Sequence, residues 1–355
     1  MTTMTIHAAP SEYILQEDAL QLLEQKLLAR GIQRALIVTG QKSWAAVERL
    51  WPTLSTISTE LHMYSGECSF SEITRVVERA GDFDAIIGVG GGKVIDLAKA
   101  AANEVHKQVI IIPTLASNCA PWTPLSVLYN DEGAFVRYDV YPVATSLLLV
   151  DPVILLTAPP ALFVAGIGDT IAKWYEADIQ LRTIEDKTVP MLISHHSAEA
   201  CKAILLAESS TALQALDEQQ INKSFIKVIE VMFMYAGMVG GYGDYYGRTA
   251  GAHSIHNGLT ALEQSHTLLH GIKVAFGILV QLMLENRQDE IELLRPFYEE
   301  LDLPLTLTDL GLGQVSEEEL MAVALKATVA SESIHLMPIG EMTAQRVFEA
   351  MLALR

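Results

Sequence analysis

The sequence predicts an α/β dinucleotide-binding domain over 1–158 followed by an all-helical domain over 159–355. Three observations carry this. Up to residue 150, short apolar runs alternate with helix-periodic stretches, which implies a parallel sheet wound on both faces. After Pro159-Pro160 the strand signal stops and long apolar-periodic stretches take over. Within the first half stands Ile86-Ile87-Gly88-Val89-Gly90-Gly91-Gly92-Lys93-Val94-Ile95-Asp96-Leu97-Ala98-Lys99, an apolar run that meets a glycine cluster and then a helix pattern.

The elements follow in order. Gln16 to Arg30 reads as a helix, with Leu20, Leu23 and Leu27 at helical spacing and Gly31 ending it. Ala35 to Thr39 reads as a buried strand ending at Gly40. Ser43 to Leu50 reads as a helix closed by Pro52, and Glu60 to Tyr64 as a strand. Ser69 with Glu72 forms a capping box for a helix to about Ala80. Ala85 to Val89 and Val109 to Ile112 are further strands. Gly40, Gly90 and Thr114 then cluster at the carboxyl ends of the strands, where ligands bind such sheets. Leu125 to Tyr129 and Phe135 to Tyr141 flank a hairpin turn at Asn130-Asp131-Glu132-Gly133, and Leu147 to Val150 is the last strand. Pro159-Pro160 suits a helix start. Helices are expected at about 160–182, 189–208, 222–241 and 270–286, with the remainder to Arg355 mostly helical.

Bulk properties narrow the function. The chain of 355 residues is half hydrophobic and carries a net charge of −19. That charge argues against nucleic acid and against anionic membrane surfaces as partners. Three cysteines, Cys68, Cys119 and Cys201, form neither a disulfide framework nor a zinc knuckle, so a reducing cytoplasm is expected. Met1 to Pro10 has no basic start and no long apolar core, so no targeting segment is expected. Leu147 to Ile167 is apolar but holds Asp151, Pro152, Pro159 and Pro160, which excludes a spanning helix. The expected partner is a small-molecule substrate, and the apolar helical half makes a homo-oligomer plausible.

The glycine cluster suits a diphosphate. Glycines let the backbone approach the oxygens, and the first-turn N–H groups and the helix dipole favour negative charge. A plain strand-to-helix turn needs fewer glycines than Gly90, Gly91 and Gly92 supply. The spacing departs from G-x-G-x-x-G, and Val94 after Lys93 departs from the Walker pattern, so a different dinucleotide fold is expected. In the second half, Gly166 to Glu176 and Ala252-His253-Ser254-Ile255-His256-Asn257-Gly258 with His270-Gly271 place a carboxylate, Asp169, and three imidazoles in apolar helices. Such groups are costly to bury unpaired. Singly, each is explained as a hydrogen-bonded core histidine or a helix cap; together they suit a divalent metal, zinc or Fe(II), with an open position.

These motifs resemble the iron-containing (group III) alcohol dehydrogenase superfamily, in its glycerol dehydrogenase-like branch. The resemblance rests on Gly88 to Lys93 with Asp96, Pro113-Thr114, Leu125 to Tyr129, Gly168-Asp169 with Trp174 and Glu176, Ala252 to Gly258, and His270 to Gly277, in family order over most of the chain. It implies the dehydroquinate synthase-like fold, with cofactor and metal in the cleft between the halves. It implies metal ligands at Asp169, His253 and His270, and cofactor contacts at Gly90, Gly91, Gly92, Lys93, Asp96, Thr114, Thr123, Leu125 and Tyr129. It implies a nicotinamide cofactor and a Lewis-acid metal acting on an alcohol or carbonyl oxygen. His256, one turn from His253, is a candidate catalytic residue as a proton relay or as a support behind the ligands, and a purely structural hydrogen bond to the His270 segment remains open beside it.

Two departures from glycerol dehydrogenases bear on specificity. Where those enzymes resemble A-A-S-T-D-A-P-T-S, this chain reads Leu115-Ala-Ser-Asn-Cys119-Ala-Pro-Trp122-Thr123, so the substrate-facing aspartate is Cys119 and a small residue is Trp122. A carboxylate there would repel an anionic substrate by about 4 kcal/mol at ~4 Å and an effective dielectric of ~20. Its loss favours 2-oxo acids, reduced to 2-hydroxy acids, as in the hydroxycarboxylate dehydrogenase members of the branch; Arg137 and Arg248 are candidate cations for the acid group. A neutral pocket filler in a polyol or simple alcohol dehydrogenase is the alternative. The second departure is Thr39-Gly40-Gln41-Lys42, which lacks the acidic residue that binds ribose hydroxyls in NAD-dependent members. Gly40 and Lys42 therefore point to NADPH, with NADH second. A dehydroquinate synthase-like lyase needs a more basic site, and a relative without turnover would not need Asp169, His253 and His270 together.

Overall fold

The computed structural model describes residues 4–355; the first three residues of the stretch read for a targeting signal lie outside them. Among the described residues the α/β part contains β1 (Tyr13–Leu15), α1 (Leu23–Leu28), β2 (Arg34–Thr39), α2 (Gln41–Val47), β3 (Ser58–Met63), α3 (Phe70–Ala80), β4 (Ala85–Gly90), α4 (Gly92–Glu104), β5 (Gln108–Pro113), β6 (Leu125–Tyr129), β7 (Phe135–Val140), β8 (Leu147–Val150) and α5 (Pro152–Leu156). The helical part contains α6 (Pro160–Leu181), α7 (Val189–Glu218), α8 (Lys223–Glu230), α9 (Ala236–Gly243), α10 (Tyr245–Arg248), α11 (Gly251–Leu259), α12 (His270–Leu284), α13 (Gln288–Glu300), α14 (Glu317–Ala327) and α15 (Ala344–Leu352). Two compact units result: His7–Pro160 with Gln214–Ile229, and Ala161–Leu213 with Glu230–Arg355. The end of α7 groups with the α/β unit, where Gln219 Nε2 donates to the Leu156 carbonyl at 3.0 Å.

Six strands form a parallel sheet in the order β1-β8-β5-β4-β2-β3. The fully buried runs of β4 and β8 are what a strand covered on both faces requires. The connection through α2 runs from β2 out to β3, and that through α4 runs from β4 the other way to β5. The order therefore reverses between β2 and β4, which is where open α/β sheets bind ligands. Thr39 is in register with Val89 and Gly90 with Pro113, so the strand ends carrying Gly40, Gly90 and Thr114 lie side by side.

Several boundaries differ from the sequence reading for local reasons. The helix expected from Gln16 starts only at Leu23, after a 3₁₀ turn at Ala19–Leu22, because Asp18 sits at φ 57° and interrupts it. Helix α2 begins at Gln41, since Gly40 itself is the N-cap. Strand β1 and helix α5 are too short to show a period; Asp151 caps α5 by accepting from Val153 N at 3.1 Å. Helix α7 runs on to Glu218, and the expected helix at 222–241 is interrupted by a π-helical turn at Val231–Tyr235. Lys223–Gly243 is long and apolar enough to cross a membrane by length and composition, and 61% of its apolar window is buried inside the protein.

One buried cation ties the hairpin β6–β7 to α4. Lys99 Nζ lies 2.9 Å from Asp96 Oδ1 and donates to the carbonyls of Ala120 at 2.8 Å, Thr123 at 3.0 Å and Leu125. Asp96 Oδ2 accepts from Val127 N at 3.1 Å, and Ser126 Oγ donates to the Asp96 carbonyl at 2.7 Å. Replacing Lys99 by Ala strands a buried carboxylate and three carbonyls. Lys99→Ala is therefore expected to lower stability by about 3–5 kcal/mol, read as a shift of the urea midpoint at unchanged slope. A loss under ~1 kcal/mol would show that the clamp contributes little.

Candidate metal centre and nucleotide site

The metal-ligand candidates are brought together by glycines at helix crossings. A Cβ on Gly271 of α12 would lie 1.7 Å from the Ala165 carbonyl oxygen of α6, and one on Gly168 would lie 2.7 Å from the Gly271 carbonyl. The two backbones therefore touch, which sets Asp169 beside His270. A Cβ on Gly277 would lie 2.3 Å from the Ala252 carbonyl, so α11 lies equally close to α12 and carries His253 in.

The result is a convergent donor set. Asp169 Oδ1 lies 3.3 Å from His253 Nε2 and 3.2 Å from His270 Nε2, and ligand atoms of all three residues lie within 4.8 Å of one another. Asp169 is buried in the middle of α6, so it is no helix cap. Glu176, two turns further along α6 and itself buried, accepts from His253 Nδ1 at 2.6 Å, from His253 N at 2.9 Å and from Ala250 N at 2.7 Å. That carboxylate fixes the His253 ring with Nε2 towards Asp169, the support a metal-bound imidazole ordinarily has. Burial alone would lower the His253 pKa, but the charge of Glu176 and the bond to Asp169 outweigh it and raise it to about 9. Burial likewise works against an ionised Asp169, yet the bonds from His253 and His270 hold it well below the usual carboxylate range. One carboxylate and two oriented imidazoles fit a divalent metal.

His256 stands behind His270, not beside Asp169. Its Nε2 is 3.0 Å from His270 Nδ1, its Nδ1 is 3.0 Å from Asn257 Oδ1, and Asn257 Nδ2 donates to Glu332 at 3.0 Å. With its Nε2 lone pair given to a metal, His270 would carry its proton on Nδ1 and donate it to His256, whose own proton on Nδ1 would go to Asn257 Oδ1. Burial pushes His256 well below the ordinary imidazole range, which keeps that acceptor lone pair. In this geometry His256 orients a ligand histidine.

The α/β unit places the cofactor candidates at its strand ends. Gly91 is the N-cap of α4, with no side-chain cap bond, so the first-turn N–H groups of a 13-residue helix remain available. The glycines divide their work. A Cβ on Gly90 would lie 2.8 Å from Val94 Cβ, so Gly90 lets α4 pack on β4, whereas one on Gly92 would lie 3.0 Å from Asn118 Nδ2. Lys93 is ion-paired with Glu67 and lies 5.5 Å from the centre of the Tyr129 ring. Thr114 N donates to the Gly90 carbonyl at 3.0 Å. Lys42 is exposed in the first turn of α2. A Cβ on Gly40 would meet the Tyr64 ring at 2.7 Å, so that ring bears on the position.

Five of the candidate residues are engaged within the protein. Asp96 is buried and held by Lys99 and Val127 N. Trp122 is 5% exposed, donates from Nε1 to the Ala8 carbonyl at 3.0 Å and packs edge-on against Tyr13, contacts that stiffen the loop. Arg137 is paired with Asp139 at 2.8 Å on an exposed strand, and Arg248 with Asp244 at 3.2 Å, so both candidate cations already serve carboxylates. Cys119 is half-buried and its carbonyl closes a turn by accepting from Trp122 N and Thr123 N. The residues missed from the sequence are Lys99, Glu67 and Tyr64, none of which stands in a chemical pattern, and the role of Glu176, whose seven-residue spacing from Asp169 on a helix was the available signal.

Comparison with known proteins shows what the chain is similar to. The family profile described as iron-containing alcohol dehydrogenase matches residues 10–152. Hydroxycarboxylate dehydrogenase A of Escherichia coli (strain K12) is 36% identical over 93% of this chain and 92% of its own length. Glycerol dehydrogenase of Thermotoga maritima is also 36% identical, over 99% of this chain and 97% of its own. A crystal structure of a probable glycerol dehydrogenase from Sinorhizobium meliloti 1021 superposes with a TM-score of 0.88 at 31% identity, covering 99% of this chain and 98% of that one.

The Glu176 contact yields a direct test. Glu176→Gln leaves the volume unchanged but removes the charge behind His253. It is expected to weaken metal binding by about 10–100-fold in a chelator competition, with little change in circular dichroism. Unchanged affinity would mean that His253 does not take part in holding the metal.

Proposed function

We propose that this chain, which belongs to the iron-containing alcohol dehydrogenase family, reduces 2-oxo carboxylic acids to 2-hydroxy acids with NADPH as the preferred hydride donor. As a member of that family it is an oxidoreductase acting on alcohol groups. The observation that carries the substrate reading is the loop after β5. From Leu115 to Pro124 it has no acidic residue, and Cys119 stands where a polyol enzyme of this branch would resemble an aspartate. A relative named hydroxycarboxylate dehydrogenase A supports the same reading. An equally similar relative named glycerol dehydrogenase supports the second one, polyol oxidation on the same scaffold.

The residues divide the work as follows. Asp169, His253 and His270 would hold a divalent metal, zinc or Fe(II), which supplies Lewis acidity towards the substrate oxygen. Glu176 fixes His253, and His256 with Asn257 and Glu332 fixes His270, so the ligand nitrogens keep their orientation without reorganisation. The N-terminus of α4 with Gly91 and Gly92 binds the cofactor diphosphate, and Lys93, Thr114, Thr123, Leu125 and Tyr129 line its path. Lys42 pairs with the 2′-phosphate.

Protein loaded with zinc or Fe(II) is expected to oxidise NADPH with 2-oxobutyrate or 2-oxoglutarate and to show little activity with NAD and glycerol or 1,2-propanediol. Strong NAD-dependent glycerol oxidation would overturn the acid reading and favour the polyol one. Cys119→Asp restores the carboxylate and should cut kcat/KM for the oxo acids at least tenfold, for which ~1.4 kcal/mol of repulsion suffices. For the cofactor, Lys42→Ala should raise KM for NADPH about tenfold and leave that for NADH unchanged. This variant is cleaner than Gly40→Asp, whose side chain would meet Tyr64. Equal effects on both cofactors would remove Lys42 from the phosphate site.

A further inference from the structure

Strand β7 is exposed in a way a terminal strand rarely is. The hairpin forms a separate two-stranded sheet, so no strand lies beyond β7 among the described residues. Phe135 is 54%, Val136 44%, Tyr138 52% and Val140 37% exposed, which leaves apolar side chains on both faces in water. Tyr141 N donates to the Pro124 carbonyl, and residues 139 and 137 follow it in alternation opposite Ser126 and Leu128, so these turn their backbone groups to β6. Val136 and Val140 therefore turn theirs to the outer edge. Such an edge is a template for another strand unless it is covered.

We infer that β7 pairs antiparallel with β7 of a second copy of this chain about a two-fold axis through Tyr138, joining two hairpins into one four-stranded sheet. The occupant follows from the charge pattern. In that register Arg137 of each copy faces Asp139 of the other, Val136 faces Val140, and Tyr138 faces Tyr138. The Val136–Val140 pairs are also those whose outward N–H and C=O groups can exchange hydrogen bonds. The neighbouring symmetric registers are disfavoured. Centred on residue 137 the strands oppose Arg137 to Arg137, and centred on 139 they oppose Asp139 to Asp139, so the charges select one alignment. Within one chain Arg137 and Asp139 pair two residues apart along the same strand face, with side chains 57% and 35% exposed. An exposed pair of this kind contributes little by itself, so Arg137, whose guanidinium also lies over the Phe70 ring at 5.1 Å, can exchange the Asp139 of its own chain for that of a second copy. A C₂ contact needs a self-complementary patch, and Phe-Val-Arg-Tyr-Asp-Val is one. This inference does not depend on the substrate or cofactor reading.

Charge reversal tests it on the full chain. Sedimentation velocity should give dimers or multiples of dimers for the natural sequence. Arg137→Asp and Asp139→Arg singly should weaken the association at least tenfold, and the double exchange Arg137→Asp with Asp139→Arg should restore it, because the pairs re-form in the same register. Cross-linking reports on the register independently. Tyr138→Cys places two thiols on the axis with Cα atoms about 5.5 Å apart, within disulfide reach. Under mild oxidation it should give a covalent dimer on a non-reducing gel. Val136→Cys places them about 13 Å apart, four strand positions, and should not. The natural chain is the control, since Cys68 and Cys201 are buried and Cys119 half-buried. A monomer at all concentrations would mean that Arg137 and Asp139 merely guard a free edge, and would overturn the inference. So would an oligomer that neither responds to charge reversal nor cross-links through position 138.

Discussion

The candidate metal centre depends on one close crossing of two helix backbones. Gly168 on α6 and Gly271 on α12 leave room for each other's carbonyls, and any side chain at Gly271 would overlap the Ala165 carbonyl oxygen. Only at that separation can the carboxylate of Asp169 reach the imidazole of His270. Everything else in the site answers a cost created there. A buried carboxylate needs positive or hydrogen-bonding neighbours, and His253 and His270 supply them. His253 in turn needs its other nitrogen satisfied, and Glu176 does so. The chain of obligations ends at the half-buried pair of Asn257 and Glu332 behind His256. Orientation of the ligand nitrogens is thus set by packed helices rather than by loops.

The α/β unit solves a different problem. A chain with a net charge of −19 must attract an anionic cofactor. The uncapped amino end of α4 at the sheet's reversal point, where the dipole and open N–H groups concentrate positive potential, would do so locally. Lys93 stands at the same end, paired with Glu67. Lys99, one helical turn from Asp96, is spent entirely on structure and holds the hairpin that carries Leu125 and Tyr129.

How far the residues could be read depended on the range of the interaction. Period, caps and glycine clusters act within a few residues, so the strands β2, β4, β5 and β8, the hairpin and the helices α6 and α12 were legible with boundaries near those observed, whereas the end of α7 at Glu218 was not. Tyr13–Leu15 was not, because three residues carry no period and the strand exists only through its pairing with β8. The protein partners of Trp122 and Asp96 were not legible, because the family pattern names positions and not directions. The indole N–H is taken by a carbonyl from residue 8, and the carboxylate by Lys99 and the backbone of β6, partners that no local spacing reveals.

The resemblance to a known family singled out Asp169, His253 and His270; by itself the sequence determined the order of the two kinds of structure, the glycine cluster that opens α4 and the absence of an acidic residue between Leu115 and Pro124. These follow from residue chemistry and short-range geometry. The tertiary structure alone decided which side chains face inward, which nitrogen of each histidine is held by a supporting group, and which cations remain for other partners. Those outcomes are set by contacts between residues scores of positions apart, such as Glu176 with His253 and Asp169 with His270, and such contacts exist only once the helices have packed.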